Sequence, residues 1–361
     1  MKGIEDTSMN AGDTPDSLNA AAAPMRFSVF SVQDHHPSLP RTVPELYAQV
    51  VRQAQLAEAL GYDTYFSAEH HFHEYGAVPN PAVILTAIAQ NTKRIRLGSA
   101  VAILPFHHPL TVAENYAMVD VLSGGRLVLG VGSGYLRHEF DGYALDPAEK
   151  RERFDEALAI VKRALAGEPV SCSSARFALD KVRINVLPLQ KPTPPIYVAV
   201  LRREAVYHVG RQGHSIMCVP YASVDRLADV GEMAREFAKG AADAGVPAGD
   251  SLWAFHTHVA DSDDDCRRDA AEAFDLYVRT RLYAKQQTYA DILRSGLGLF
   301  GSVERVANKL VELHAMGVRH VLALSDFGAM PEPLVHRSMR LLAREVMPRV
   351  AARLTRTVEV R

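Results

Sequence analysis

From Arg26 onward, short apolar runs rich in β-forming residues alternate with longer stretches in which apolar positions recur at helical spacing. Eight runs stand out: Phe27 to Val32, Thr64 to Ala68, Ile95 to Leu104, Leu127 to Val131, Ile196 to Val200, Ser215 to Val219, Leu252 to Val259 and His320 to Leu324. This is the pattern of repeated βα units around a parallel sheet. The helices between them have readable ends. Thr42-Val43-Pro44-Glu45 has capping-box spacing, in which the Thr hydroxyl and the Glu carboxylate each satisfy a free N–H of the first turn. The helix it starts runs through Tyr47, Val50, Val51, Ala54, Ala57 and Leu60 and stops at Gly61, where a positive φ meets no steric clash. The same joint recurs at Ala315-Met316-Gly317 before His320. Eight units over about 300 residues fit a (β/α)8 TIM barrel, an α/β fold in one domain spanning 25–361, better than two open-sheet domains.

Two segments break the alternation as loop insertions. In 168–194, Val170, Phe177, Val182 and Ile184 are interleaved with polar residues and closed by prolines, which suits a small hairpin. The second, 281–298, holds Tyr283, Lys285 and Tyr289 and has the length of a lid. Residues 1–24 are expected to be a disordered tail, since acidic residues, Ser, Asn and Ala replace the basic start and apolar block of a signal peptide.

Composition narrows the partners. The chain of 361 residues is 48% hydrophobic and 23% charged with a formal charge of −2, and its Lys and Arg form no long cluster. Nucleic acid and anionic membrane surfaces are thereby excluded as main partners. No apolar stretch approaches the roughly 18 to 20 residues of a spanning helix. Cys172, Cys218 and Cys266 are far apart and form no paired motif, so neither a disulfide framework nor a thiolate zinc site is expected. A soluble protein of the reducing cytoplasm is the expectation.

Barrel enzymes build their sites at the carboxyl ends of the strands. There, after the second run, Glu69-His70-His71-Phe72-His73-Glu74 crowds three imidazoles and two carboxylates together. Metal ligation is one use of such a set, but the spacing is not that of a helical His pair, and His256-Thr257-His258 sits within a strand. No metal is expected; acid–base work by one of these imidazoles is. Gly130-Val131-Gly132-Ser133-Gly134-Tyr135 fails as a dinucleotide fingerprint, because the third glycine is misplaced and Leu136 to Gly142 opens no apolar helix. What survives is bare backbone that something flat can approach. The small centre of the third run either makes room at the mouth or packs on a helix. Gln33, His35, His36, Tyr283 and Tyr289 are further candidates for the pocket lining.

Taken in order, Ala68-Glu69-His70-His71-Phe72, Leu97-Gly98-Ser99-Ala100-Val101, Gly124 to Gly132 with Glu139-Phe140 beyond, and Glu345-Val346-Met347-Pro348 resemble the luciferase-like flavin monooxygenases. The resemblance spans Phe27 to Pro348 and implies a TIM barrel that takes reduced FMN from a separate NAD(P)H-dependent flavin reductase. With O2 the flavin would form a C4a-peroxide that oxygenates a small organic substrate. The resemblance implies a catalytic role for His70 and a position near the flavin ring for Glu69. Beside Ser99 it implies a cis Ala100–Val101 peptide beneath that ring, and a wall of Gly132, Ser133, Gly134 and Tyr135. Two departures fall on the phosphate site: Ser133 stands where many relatives carry Arg, and Val200-Leu201-Arg202-Arg203 where they carry small hydroxyl residues. Arg202 or Arg203 would restore the lost charge. The segment with His107, His108, Glu114 and Tyr116 matches the family's dimer face and implies a homodimer. A deazaflavin oxidoreductase on the same barrel, a metal-dependent barrel hydrolase and a non-catalytic flavin-binding protein are the alternatives. The substrate stays open.

Overall fold

Each of the eight apolar runs forms a strand in the computed structural model, which describes residues 24–73, 76–281 and 286–359. In chain order the strands are β1 (Arg26–Ser31), β2 (Thr64–Ser67), β3 (Arg96–Ile103), β4 (Leu127–Gly132), β5 (Val170–Ser173), β6 (Ala178–Val182), β7 (Ile196–Val200), β8 (Ser215–Cys218), β9 (Ser251–Ala260), β10 (Leu299–Ser302) and β11 (His320–Asp326). Parallel pairing runs β11-β1-β2-β3-β4-β7-β8-β9 and closes where β9 meets β11. The result is an eight-stranded barrel with helices between its strands, as expected. The expected hairpin is the antiparallel pair β5–β6.

Local chemistry fixes the joints. Thr42 Oγ1 accepts from Glu45 N at 3.4 Å while Glu45 Oε2 accepts from Thr42 N at 2.8 Å, and the helix Val43–Leu60 ends at Gly61 with φ +80°. Among the described residues, no helix is long and apolar enough to cross a membrane.

One strand overshoots. Ser251 to Trp253 pair with Ile216 to Cys218, where β8 ends, so Ala254 to Ala260 rise above that edge of the barrel. On its other side β9 pairs with β11 up to His256, then with β10 from Thr257 to Ala260. The helix that follows, Asp263–Thr280, returns alongside and delivers its last turn to the level of the rim.

Three expectations need correcting. Leu136 to Gly142 does contain a helix, Arg137–Gly142, too short to display a period and burying only Glu139 and Phe140. Gln33, His35 and His36 are engaged in a polar joint between the ends of β1 and β11. There His36 Nε2 lies 2.9 Å from Asp34 Oδ2, His35 Nε2 3.1 Å from the Arg41 carbonyl, and Gln33 Oε1 accepts from Ser67. Arg41 stands 3.9 Å from Asp34 Oδ1 and 3.8 Å from Asp326 Oδ1, while Gln53 donates to Asp326 Oδ2 at 2.7 Å. Tyr289 is core, packed on Phe274 and Phe300 with its hydroxyl 3.5 Å from Cys266 Sγ. Tyr283, Lys285, Glu74 and residues 1–23 lie outside the described residues.

Candidate active site

Two buried carboxylates sort the imidazoles after β2. Glu139, on the short helix beyond β4, accepts from the His71 N–H at 3.0 Å with the same oxygen, Oε1, that stands 3.0 Å from His70 Nδ1. Glu69 takes the other two: its Oε1 lies 2.9 Å from His71 Nε2 and 2.7 Å from His107 Nε2, and its Oε2 accepts from the Ile103 N–H at 3.2 Å. Tyr143 OH reaches His71 Nδ1 at 3.1 Å, so both nitrogens of that ring are held within the protein.

The charges follow from these contacts. Burial would raise the Glu69 carboxyl, but hydrogen bonds from His107 and His71 outweigh it and hold Glu69 below the usual carboxylate range. Burial would lower His107, yet Glu69 wins and lifts it. His70 goes the other way. Burial pushes it down, the pull of Glu139 only partly compensates, and the charge of Arg281 adds to the push. His70 is therefore a neutral imidazole at neutral pH, with Glu139 fixing which nitrogen carries the proton.

Beside this pair lies a shallow floor. Ala100 and Val101 are partly exposed in mid-strand while Ser99 and Ala102 are buried, the Ala100–Val101 peptide is cis, and the β3–β4 register skips from Ser99 to Ala102. A Cβ on Gly132 would meet Val101 Cγ2 at 2.6 Å and Ala199 Cβ at 3.6 Å. Gly132 thus lies buried against Val101, which with partly exposed Ala100 and Ala199 forms one small-residue surface. Ser133, Gly134 with φ +73° and Tyr135 edge it, and the Tyr135 ring stands edge-on to His70 at 6.4 Å.

Not every expected residue faces this floor. The Ser99 hydroxyl donates to the Gly130 carbonyl at 2.8 Å, Glu69 is tied down behind the floor, and Val200 is buried beneath Leu201 in the barrel wall. Arg203 is paired with Glu232 and lies 4.0 Å from Asp229. Arg202 is exposed and makes no ion pair among the described residues. It stands close to Lys150, whose ammonium is lowered by burial and then by the Arg202 charge. Sequence reasoning missed Lys150, Arg281 and the partnership of Glu139 with His70, because each is brought in across the fold.

Glu69 Oε1, His71 Nε2 and His107 Nε2 lie within 4.8 Å of one another, a donor set of the kind divalent ions accept. In this chain the three already satisfy one another as a hydrogen-bonded network, and His256 and His258 do not join it.

The site can be set beside known proteins. The family profile of luciferase-like monooxygenase matches residues 25–320. The 4-hydroxyprotoasukamycin monooxygenase of Streptomyces nodosus subsp. asukaensis is 29% identical over 323 residues, 82% of this chain and 86% of its own. The oxygenase component of flavin-dependent trigonelline monooxygenase from Acinetobacter baylyi is 28% identical over 251 residues, 69% of each chain. Among solved structures, the monooxygenase RslO1 from Streptomyces bottropensis superposes with a TM-score of 0.81 at 27% identity, covering 90% of this chain and 99% of its own. Two structures at 18% identity share the fold. One is the oxygenating constituent of 3,6-diketocamphane monooxygenase from Pseudomonas putida in complex with FMN, with a TM-score of 0.74 over 90% and 98% of the two chains. The other is the coenzyme F420-dependent tetrahydromethanopterin reductase of Methanopyrus kandleri, with 0.69 over 90% and 99%. The chain belongs to the luciferase-like monooxygenase family.

Proposed function

We propose that this chain is the oxygenase of a two-component, FMN-dependent monooxygenase, receiving reduced FMN from a separate NAD(P)H-dependent reductase and placing one atom of O2 in a small organic substrate. The observation that carries this is the floor of Ala100, Val101 and Ala199, with Gly132 packed under Val101, beside the His70–Glu139 pair. A flat tricyclic ring needs an apolar surface without protruding side chains, and this floor meets that need where the strand ends open. Reduced flavin held there supplies the electrons that activate oxygen.

The chain's own residues supply the rest. Ser133, Gly134 and Tyr135 border the ring, and Arg202 with Lys150 offers positive charge for the FMN phosphate, Arg203 being engaged by Glu232. His70, with Nδ1 held by Glu139, exchanges its proton through Nε2; as a neutral base it takes a proton from the substrate or returns one to the reacting oxygen. FMN is favoured over a deazaflavin because the relative that is 28% identical over 69% of each chain is a flavin-dependent oxygenase component.

A homodimer belongs to the same proposal. Met118, Val121 and Leu122 are exposed on the helix Pro109–Ser123, and Val83 on the neighbouring helix Pro81–Asn91, an apolar face suited to a second copy. Tyr116 is buried within its own chain, so Met118, Val121 and Leu122 carry this face.

Anaerobic titration with reduced FMN and with a reduced deazaflavin, followed by an oxygen pulse in a stopped-flow spectrometer, tests the proposal. Binding of reduced FMN with protein-dependent slowing of its reoxidation is expected. Reduced FMN that stays free and reoxidises at its solution rate would refute it.

A further inference from the structure

The two imidazoles that close on Glu69 aim at one point. His71 Nε2 and His107 Nε2 stand 2.9 Å and 2.7 Å from the same carboxylate oxygen, Oε1, and the donor atoms of the three residues lie within 4.8 Å of one another. Spacing along the chain predicts no metal here, because His107 arrives from the end of β3, 38 positions from Glu69. The surroundings nevertheless have the character of an outer shell around a metal centre. The second oxygen of Glu69 is fixed by the Ile103 N–H at 3.2 Å, which leaves Oε1 to serve the imidazoles. Tyr143 OH holds His71 Nδ1 at 3.1 Å, and Glu139 anchors the His71 backbone N–H at 3.0 Å. The His71 ring is wedged edge to face against Phe106 at 5.8 Å and Tyr143 at 5.1 Å between centroids. A ligand ring whose far nitrogen and orientation are already set meets a metal without first having to be ordered. There is also a way in. Glu69 and His107 line a cleft of about 290 Å³ whose other walls include Asn80, which caps the helix Pro81–Asn91, and Thr111 and Asn115 of the helix Pro109–Ser123. The His107 side chain is 29% exposed.

We propose that Glu69, His71 and His107 bind one divalent transition ion of the zinc class, a structural centre that ties the loop after β2 to the end of β3. A tetrahedral zinc keeps its donors about 2.0–2.2 Å away, and so about 3.3 Å from one another. Widening each of the two existing contacts by about 0.5 Å admits the ion, and water from the cleft takes the fourth position. Two imidazoles and a carboxylate suit zinc, cobalt or nickel, whereas magnesium and calcium take oxygen ligands. In the metal-free chain each Nε2 carries the proton that it donates to Glu69. On binding, the His71 proton moves to Nδ1, where it is donated to the Tyr143 oxygen, and the His107 Nε2 proton passes to its own Nδ1 or to solvent. Both Nε2 lone pairs then face the ion.

The protein, freed of metal by dialysis against EDTA, is titrated with Zn2+ in competition with a chromophoric chelator, and separately with Co2+. One Zn2+ per chain is expected, with a Kd of about 1 μM or tighter. Its addition should raise the melting temperature, Co2+ should give the intense visible bands of a four-coordinate ion, and Mg2+ and Ca2+ should not compete. His107→Gln, whose amide can still donate to Glu69, should weaken Zn2+ by about 100-fold or more and abolish the cobalt bands. Tyr143→Phe keeps all three ligands but removes the acceptor for the His71 Nδ1 proton, and should weaken Zn2+ about tenfold; it carries the test if His107→Gln fails to fold. His208→Gln, at an exposed histidine elsewhere, should change nothing. A weaker constant in the native chain, an affinity that survives His107→Gln, or an affinity lost in His208→Gln would overturn the inference, the ion then meeting surface histidines only. No flavin enters the assay, so the monooxygenase proposal stands or falls separately.

Discussion

Asp326→Asn should stabilise the protein above pH 6. The Asp326 carboxyl is buried between β11 and the helix Val43–Leu60, and burial, with Asp34 nearby, pushes its pKa from 3.8 up to about 6 despite Arg41 at 3.8 Å. The sign follows from proton counting. Between pH 3.8 and about 6 the native state holds a proton that the unfolded chain has released, so stability falls as pH rises through that window and stays reduced above it. A rise of roughly two units corresponds to about 3 kcal/mol at 1.36 kcal/mol per unit. Asparagine never ionises, and its amide oxygen can still accept from Gln53, which now donates at 2.7 Å. Arg41 loses one anion but keeps Asp34, which trims the expected gain at pH 7.5 to about 1–3 kcal/mol. Urea midpoints for both proteins at half-unit steps from pH 4.5 to 8 measure it. The two curves should separate progressively as pH rises from 4.5 to about 6 and stay apart above it. A variant less stable at pH 7.5, with a difference independent of pH, would show that the ionised carboxylate is favourable where it sits and refute the reasoning.

Glu139→Gln removes the group that holds His70 Nδ1 and lifts its pKa. Turnover should fall about 10- to 100-fold, and the acid limb of kcat/KM against pH should move to lower pH; a limb moving upward would contradict the assignment of His70 as base. Lys150→Ala with Arg202→Ala should weaken FMN binding while sparing riboflavin, which lacks the phosphate, and equal losses for both flavins would place the phosphate elsewhere. Met118→Glu puts a charge in the exposed apolar face of the helix Pro109–Ser123. Light scattering after size exclusion should report a dimer for the native chain and a monomer for the variant, and an unchanged mass would remove that face from the interface.

The strands were legible because each is an apolar run of ordinary length set between a glycine or polar joint and a helix. Even the ends of β1 and β7 fall within a residue or two of expectation. β10 was not, since Leu299–Ser302 is four residues with a glycine inside and its identity as a strand comes from its partner β9. At the site, His70 could be singled out from its crowded stretch, but its working partner is Glu139, 69 positions away. The sequence could not choose between Arg202 and Arg203 because the choice is made by Glu232, 29 positions from Arg203, which occupies one guanidinium and leaves the other exposed. Gln33, His35, His36 and Tyr289 look like pocket residues by type and by loop position. Neighbours distant in sequence, Ser67 for one and Phe300 for another, turn them into packing and joinery.

The overshoot of β9 divides the strand into stretches held by different neighbours. Up to Trp253 the strand pairs with β8 and from Trp253 to His256 with β11, so a change in this stretch disturbs closure of the whole cylinder. From Thr257 upward its pairing is with β10 alone. The upper half is as buried as the lower, so its side chains are fixed by local packing and not by closure of the barrel.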